Sequence, residues 1–292
     1  AQTVCGRKDK RIHRRSSMLI KEWTTDVEVP GPEGGEATSM RLHVFEPVAA
    51  GAALPGLVLF SEIYQVTGPI ERLGRQLAAE GFVVAAPEVY HELLTPGRAL
   101  AYNPEETDLG NRLKVSKPVE QYDRDASAAI EWLLNREDSN NEVGVIGMCL
   151  GGHLALRAAF HPAVKAGVCL FATDVHSGTL GESGDDTISN LARLAEAEMV
   201  FVWGKQDNHV PMEGRQQIKD ALEESGAGFS WLELNAQHAF IRDELSKGRY
   251  DASLAQICMM TALELFRRRL WFKMPQQREV KPQADAPGPA KC

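Results

Sequence analysis

Val145-Ile146-Gly147-Met148-Cys149-Leu150-Gly151-Gly152-His153 changes character at one residue. Up to Gly147 it is an apolar run of the kind that forms a strand buried on both faces. From Leu150 it continues through Leu154-Ala155-Leu156-Arg157 as a helix. The turn between them has the spacing Gly-x-Cys-x-Gly. A turn this tight crowds the neighbouring strand and helix, and Gly147 and Gly151 remove the side chains that would clash. The turn lifts Cys149 out of the sheet at a helix N-terminus, where free N–H groups and the helix dipole favour thiolate over thiol. Read alone, these nine residues also fit a buried, inert thiol in a glycine-rich turn.

On either side the chain repeats the same alternation. Strands are expected over Met40–Glu46, Gly56–Glu62, Phe82–Pro87, Val143–Gly147, Ala166–Phe171, Met199–Gly204 and Phe229–Leu234. Ile70, Leu73, Leu77 and Ala78 share one helical face, and Ala126, Ala129, Ile130, Leu133 and Leu134 share another. Strands alternating with helices imply an α/β chain: a mostly parallel central sheet with helices on both faces. Leu19–Glu46 has no helix between its strands and is expected to open the sheet with an antiparallel hairpin. His91–Val119 has little periodicity and carries Pro96, Gly97, Pro104 and Gly110. It reads as a long irregular connection at a strand's C-terminal end, placed to cap a substrate.

The expected organisation is a disordered leader over 1–17, one domain over 18–272 and a flexible tail over 273–292. The leader is basic and polar; the tail is rich in Pro, Gln, Lys and Ala. A net charge of −8 gives no general attraction to nucleic acid or an anionic membrane. No apolar run approaches the length that spans a bilayer, and no signal peptide is visible. The five cysteines, Cys5, Cys149, Cys169, Cys258 and Cys292, are scattered, odd in number and without Cys-x-x-Cys spacing. That pattern argues against a disulfide framework or a structural zinc site and for a reducing, cytoplasmic setting. Cys169 and Cys258 lie in apolar stretches and read as buried, inert thiols. Neither metal nor organic cofactor is expected, and oligomeric state leaves no mark in the sequence.

A nucleophilic thiol on this turn requires an acid and then a histidine later in the chain. Met199–Gly204 runs into Lys205-Gln206-Asp207-Asn208-His209-Val210-Pro211, and Phe229–Leu234 into Asn235-Ala236-Gln237-His238-Ala239-Phe240. Asp207 and His238 therefore sit on corresponding loops at the ends of successive strands. His238 is expected to take the thiol proton and Asp207 to orient it. His209, two residues from Asp207 on the same loop, ranks below His238 as the base; His153 reads as structural. The oxyanion would be met by the backbone N–H groups of Leu150 and Ile63.

Taken together, Glu62-Ile63, Gly147-Met148-Cys149-Leu150-Gly151-Gly152, Asp207 with Val210-Pro211, and His238-Ala239-Phe240 with Arg242 resemble the dienelactone hydrolase (carboxymethylenebutenolidase) family. The resemblance implies an α/β-hydrolase fold and hydrolysis of a small ester or lactone through a thioester acyl-enzyme. It implies that Glu62 contacts the resting thiol and gates it, and that Arg242 helps hold a substrate carboxylate. Tyr90 and His91 follow the strand after which the family carries a second substrate-binding arginine, and are expected to face the substrate. Here that place reads His91-Glu92, and a glutamate would repel an anionic substrate; Arg98 is the nearest substitute. The alternative reading is a non-hydrolytic, redox-responsive or ligand-binding protein on the same scaffold, for which a reactive thiolate would be the oxidation target.

Overall fold

The apolar run before Cys149 is the centre of an eight-stranded sheet. The computed structural model describes residues 19–272 except 33–34 and 49–50. The expected leader and tail lie outside the described residues. The strands are β1 (Ile20–Val29), β2 (Thr38–Pro47), β3 (Leu54–Phe60), β4 (Val83–Pro87), β5 (Ser139–Met148), β6 (Val164–Leu170), β7 (Glu198–Gly204) and β8 (Gly228–Leu234). Their spatial order is β1-β2-β4-β3-β5-β6-β7-β8. β1 and β2 form the antiparallel hairpin expected at the start, and β2 is antiparallel to β4. From β4 to β8 every pairing is parallel.

Among the described residues, six α-helices connect or flank these strands: α1 (Gly68–Ala79), α2 (Pro104–Ser116), α3 (Val119–Leu134), α4 (Leu150–Ala158), α5 (Met212–Ser225) and α6 (Ala252–Phe266). The apolar faces read from the sequence are the ones buried. Ile70, Leu77 and Ala78 of α1 join Leu263 and Phe266 of α6 in one core layer. Ala126, Ile130 and Leu133 of α3 join residues of α4 and α5 in the layer on the other face. Every residue of β3 and β4 is buried, because helices cover both faces. Each Val or Leu so enclosed contributes about 1.5–3 kcal/mol, so the parallel centre rather than the β1–β2 hairpin carries the core.

The segment 91–119 is not an irregular connection throughout, for it contains α2. The start signal was present in the sequence: Asn103 caps the helix by accepting from the N–H of Glu106, Pro104 opens it, and Glu105 and Glu106 fill its first turn. The periodicity failed because α2 buries little. Gly110 is its one fully buried residue, and a Cβ there would lie 2.7 Å from the carbonyl oxygen of Ile63. The helix lies across the C-terminal end of the sheet, with Leu109 and Leu113 only partly buried against the core.

The glycines around Cys149 act as the turn geometry requires. A Cβ on Gly147 would sit 1.9 Å from the carbonyl oxygen of Gly151, and one on Gly151 would sit 2.2 Å from that of Phe60 in β3. Both obstacles are backbone atoms, which cannot swing aside. Gly151→Ala is therefore expected to cost about 3 kcal/mol or more. A urea midpoint unchanged from wild type would show that the β3–α4 approach can relax.

Candidate active site

β5 ends at Met148, and Cys149 takes φ 57° and ψ −122°, a conformation L residues rarely adopt. It is held there by backbone bonds. Its N–H donates to Leu170, and its carbonyl accepts from Gly152 and Thr173. Strain of this kind gathers at the same end of the sheet. Gln65 after β3, Phe171 and Asp174 after β6, and Ala239 beside His238 also have positive φ. These loops converge around a cavity of about 110 Å³, lined among others by Glu62, Ile63, Tyr64, Cys149, His209, His238 and Arg242.

Two further loops meet here because β7 and β8 are neighbours in register. The N–H of Lys205 donates to Leu234 and that of Gln206 to Ala236, so the β7 and β8 loops are bonded to each other. A Cβ on Gly204 would lie 2.5 Å from the Ala236 carbonyl oxygen, which is why the two can close this tightly. The result is a 2.7 Å hydrogen bond from His238 Nδ1 to Asp207 Oδ2. The second oxygen of Asp207 accepts from the N–H of His209 at 2.8 Å. Both side chains are buried. The Phe171 ring meets His238 edge-on at 5.1 Å, and the His209 ring lies tilted against it at 4.4 Å.

Electrostatics in this pocket favour charge on the imidazole. Burial by itself would lower the pKa of His238. The charge of Cys149, the hydrogen bond to Asp207 and a hydrogen bond to Cys149 outweigh it, and the imidazole is pushed up to about 10. Asp207 is held below its ordinary value: burial would raise it, but the hydrogen bond and charge of His238 lower it more. His209 goes down, through burial and through repulsion by charged His238. Burial pushes the thiol of Cys258 up to about 12 and that of Cys169 further still. Iodoacetamide near neutral pH is therefore expected to label Cys149, which is half-buried, and to leave Cys169 and Cys258 unmodified in the native state. Equal labelling of the three would contradict this.

Leu150 opens α4, so its N–H has no acceptor within the helix. Ile63 lines the cavity from the loop after β3. Glu62 and Arg242, 180 residues apart, form a buried ion pair at 3.0 Å. Both carboxylate oxygens of Glu62 go to this guanidinium, so an arginine holds the carboxylate that the resemblance places against the thiol. The Arg242 guanidinium also lies 4.6 Å from the ring centroid of Tyr102 and 5.8 Å from that of Tyr64. The two phenols are tied in turn to Thr67 and Thr107.

Tyr90 and His91 are not brought into the cavity. Tyr90 is fully buried, and its hydroxyl donates to the Gly110 carbonyl, so it supports α2. His91 turns to Asp125 at 3.0 Å. Glu92 is not left to repel an anion either, since it pairs with Lys117 at 2.8 Å. His91, Glu92 and Asp125 are close enough to share a cation, and the Lys117 ammonium binds Glu92 and Asp125 there. Arg98 pairs with Glu106 at the surface. His153 is buried, with Nδ1 2.9 Å from the Thr173 carbonyl and Nε2 2.8 Å from Thr187 Oγ1, a structural position.

The cavity also has walls that sequence reasoning passed over. Thr107, Asn111 and Lys114 come from α2, and Lys247 and Arg249 from the loop after β8. The helix-start signal at Asn103 was the available clue to the first three. A larger cavity of about 360 Å³ between α1 and α6 contains neither Cys149, Asp207 nor His238 and touches the site only at Arg242. The convergence of strained loops identifies the smaller one. Among the described residues, no helix is long and apolar enough to cross a membrane.

The model of the dienelactone hydrolase family matches residues 40–270. A protein of Saccharomyces cerevisiae, named provisionally as a carboxymethylenebutenolidase, is 43% identical over 263 residues, spanning 87% of this chain and 93% of its own. The carboxymethylenebutenolidase of Pseudomonas putida is 29% identical over 259 residues, covering 84% of this chain and 97% of its own. A crystal structure from Klebsiella pneumoniae, provisionally a dienelactone hydrolase, superposes with a TM-score of 0.69 at 23% identity, over 86% of this chain and 99% of that one. That likeness shows the α/β-hydrolase fold.

Proposed function

Because the chain belongs to the dienelactone hydrolase family, we propose that it hydrolyses small esters or lactones with Cys149 as nucleophile, His238 as acid and base, and Asp207 as the group that orients His238. The observation that carries this reading is the buried 2.7 Å bond between His238 and Asp207 in the pocket that holds Cys149.

The proposed cycle follows from the causes that set the charge on His238. At rest the thiolate and Asp207 keep the imidazole protonated. The thiolate attacks the ester carbonyl, forming an S–C bond, and the N–H groups of Leu150 and Ile63 receive the oxyanion. Collapse breaks the C–O bond, and His238 gives its proton to the departing alkoxide. Once Cys149 is a neutral thioester, the largest influence raising the imidazole pKa is gone, while burial remains. His238 is then neutral and takes a proton from the hydrolytic water as its oxygen attacks the thioester carbonyl; collapse breaks the S–C bond, releasing the acid and restoring the thiolate and the protonated imidazole. One residue thus serves as acid and then base because its charged partner is consumed between the two steps.

Arg242 would receive a substrate carboxylate by exchanging Glu62 for it, since a guanidinium suits either anion. Freed Glu62, already in the pocket, would then face the thiol; this is its proposed gating role. Tyr90 and His91 act in this reading through the wall they support and not by touching substrate. No cofactor enters the cycle. The non-hydrolytic alternative is disfavoured because a binding protein has no use for Asp207 and His238 together beside a thiol. The test is p-nitrophenyl acetate with wild-type enzyme. A burst of p-nitrophenol equal to the enzyme present, with acetyl on Cys149 by mass spectrometry, is expected; no turnover and no burst would sink the reading.

A further inference from the structure

The larger cavity, of about 360 Å³, is a gap in the core layer on the α1 and α6 face of the sheet. Its floor is Ile146 and Met148 of β5 and Leu170 of β6, each 2% exposed. Leu73 and Ala79 of α1 form one wall; Cys258, Met259 and Ala262 of α6 form the other. Ion pairs tie the two helices together toward both ends. Arg72 of α1 meets Asp243, in the connection before α6, at 2.5 Å, and Glu80 after α1 meets Arg267 after α6. The gap lies between these ties, with Gln76, Tyr250 and Gln256 at its exposed mouth. Core layers are normally close-packed, and a solvent-reachable gap of this volume is the size of a small-molecule site.

The lining selects the kind of molecule that fits. Each charged side chain on it already has a partner: Arg72 has Asp243, Glu80 has Arg267, and Arg242 has Glu62. An ionic ligand would give up its hydration and find no free counter-charge. The side-chain amides of Gln76 and Gln256, by contrast, take no hydrogen bond among the described residues. Each offers donors and an acceptor at the mouth, above a floor and walls that are aliphatic or sulfur-bearing. The occupant this lining suits has an apolar body and one uncharged hydrogen-bonding end. The floor also backs onto the thiol. Met148 precedes Cys149, and the Cys149 N–H donates to the Leu170 carbonyl at 3.0 Å.

We propose that the gap between α1 and α6 is a binding site for an uncharged, mainly apolar small molecule with a hydroxyl or amide end, such as a medium-chain alcohol. Its body lies on Ile146, Met148 and Leu170 between the helices, and its polar end meets Gln76 and Gln256. Removal of this apolar lining and of the ligand's own surface from water drives the binding. The site is separate from the pocket that holds Cys149 and does not depend on whether Cys149 attacks an ester.

N-Phenyl-1-naphthylamine, an uncharged dye that fluoresces in apolar surroundings, is the probe, used with the full chain. Saturable binding is expected, unchanged after Cys149 is alkylated with iodoacetamide. Ala79→Phe/Ala255→Phe places a ring on each wall, at positions open to solvent. It should weaken dye binding at least about tenfold. Gln76→Trp, at the exposed mouth, is the second filling variant, and circular dichroism shows which of the two is folded. Decan-1-ol should displace the dye at a concentration at least about tenfold below that required of decanoate. With methyl-labelled methionine, decan-1-ol should shift the NMR signals of Met148 and Met259 and leave those of Met40 and Met199, in the opposite core layer, in place. Undiminished binding in a folded filling variant, displacement by decanoate as readily as by decan-1-ol, or shifts that spare Met148 and Met259 overturn the proposal. So does loss of dye binding on alkylation, which would put the dye in the thiol pocket, or the absence of binding altogether. None of these outcomes bears on the ester burst that tests the hydrolytic reading.

Discussion

Cys149→Ala is expected to lower kcat for p-nitrophenyl acetate by at least about 10⁴-fold, in line with the loss of a nucleophile from other triads. Alanine has the same backbone preferences as cysteine at φ 57°, so the strained turn is no worse off. The thiol is half-buried, and its loss leaves no large cavity. The urea midpoint should therefore remain near the wild-type value while turnover disappears. The variant has a second readout. The charge of Cys149 is the largest influence raising the pKa of His238, opposing burial. Without it, the imidazole titration observed by NMR should fall well below about 10. Residual turnover near the wild-type level would mean that another group attacks the ester. A His238 titration unmoved from about 10 would mean that the thiolate is not what holds the proton.

Asp207→Asn is the second large effect. The amide is isosteric and can still accept from the N–H of His209, so the loop should keep its shape. Its other end, however, presents N–H₂ where Oδ2 accepts from His238 Nδ1. Two donors then face each other, and the imidazole must flip its tautomer or lose its alignment. In a serine triad this substitution lowers kcat by about 10⁴. Here the thiolate also supports the imidazolium, so a loss of about 10²-fold or more is expected. The pH profile carries the mechanism. Because the folded pKa of His238 is raised, the protonated form and its contribution to stability are fully present below the unfolded value of about 6.5. Both are lost as pH rises through about 10. Asparagine removes one of the groups that raise it, so the alkaline limb of kcat/KM should move to lower pH. An alkaline limb left in place would show that Asp207 has no hold on the proton.

Much of this was legible because the signals are local. Gly147 and Gly151 announce a tight strand-to-helix turn whatever the rest of the chain does, and the collisions a Cβ would make bear that out. The apolar runs of β3, β4 and β5 report burial on both faces. Loops at the C-terminal ends of neighbouring parallel strands must lie near each other, which is why the sequence alone suffices to pair Asp207 with His238. α2 was missed for a physical reason: its one fully buried residue is a glycine, and Leu109 and Leu113, only partly buried, leave a weak period-3.6 pattern. Its N-terminal cap was the remaining sign, and in a segment with Pro96, Gly97 and Pro104 it was outweighed.

Long-range electrostatics was not legible in the same way. Glu92 beside His91 read as an obstacle to anionic substrates, yet Lys117, 25 residues on, takes up its charge. Arg242 read as a ligand for substrate, yet in this arrangement it is bound to Glu62 across 180 residues and faced by two tyrosines. Lys247 and Arg249 had no motif at all and are placed only by the pocket they border. The amino-acid order by itself determined the parallel sheet, the strained turn under Cys149 and the loops that bear Asp207 and His238, because hydrophobic period and glycine placement act over a few residues. Only the tertiary structure decided which charges cancel and which remain free, because a side chain finds its counter-ion through space, at distances along the chain that no local pattern encodes.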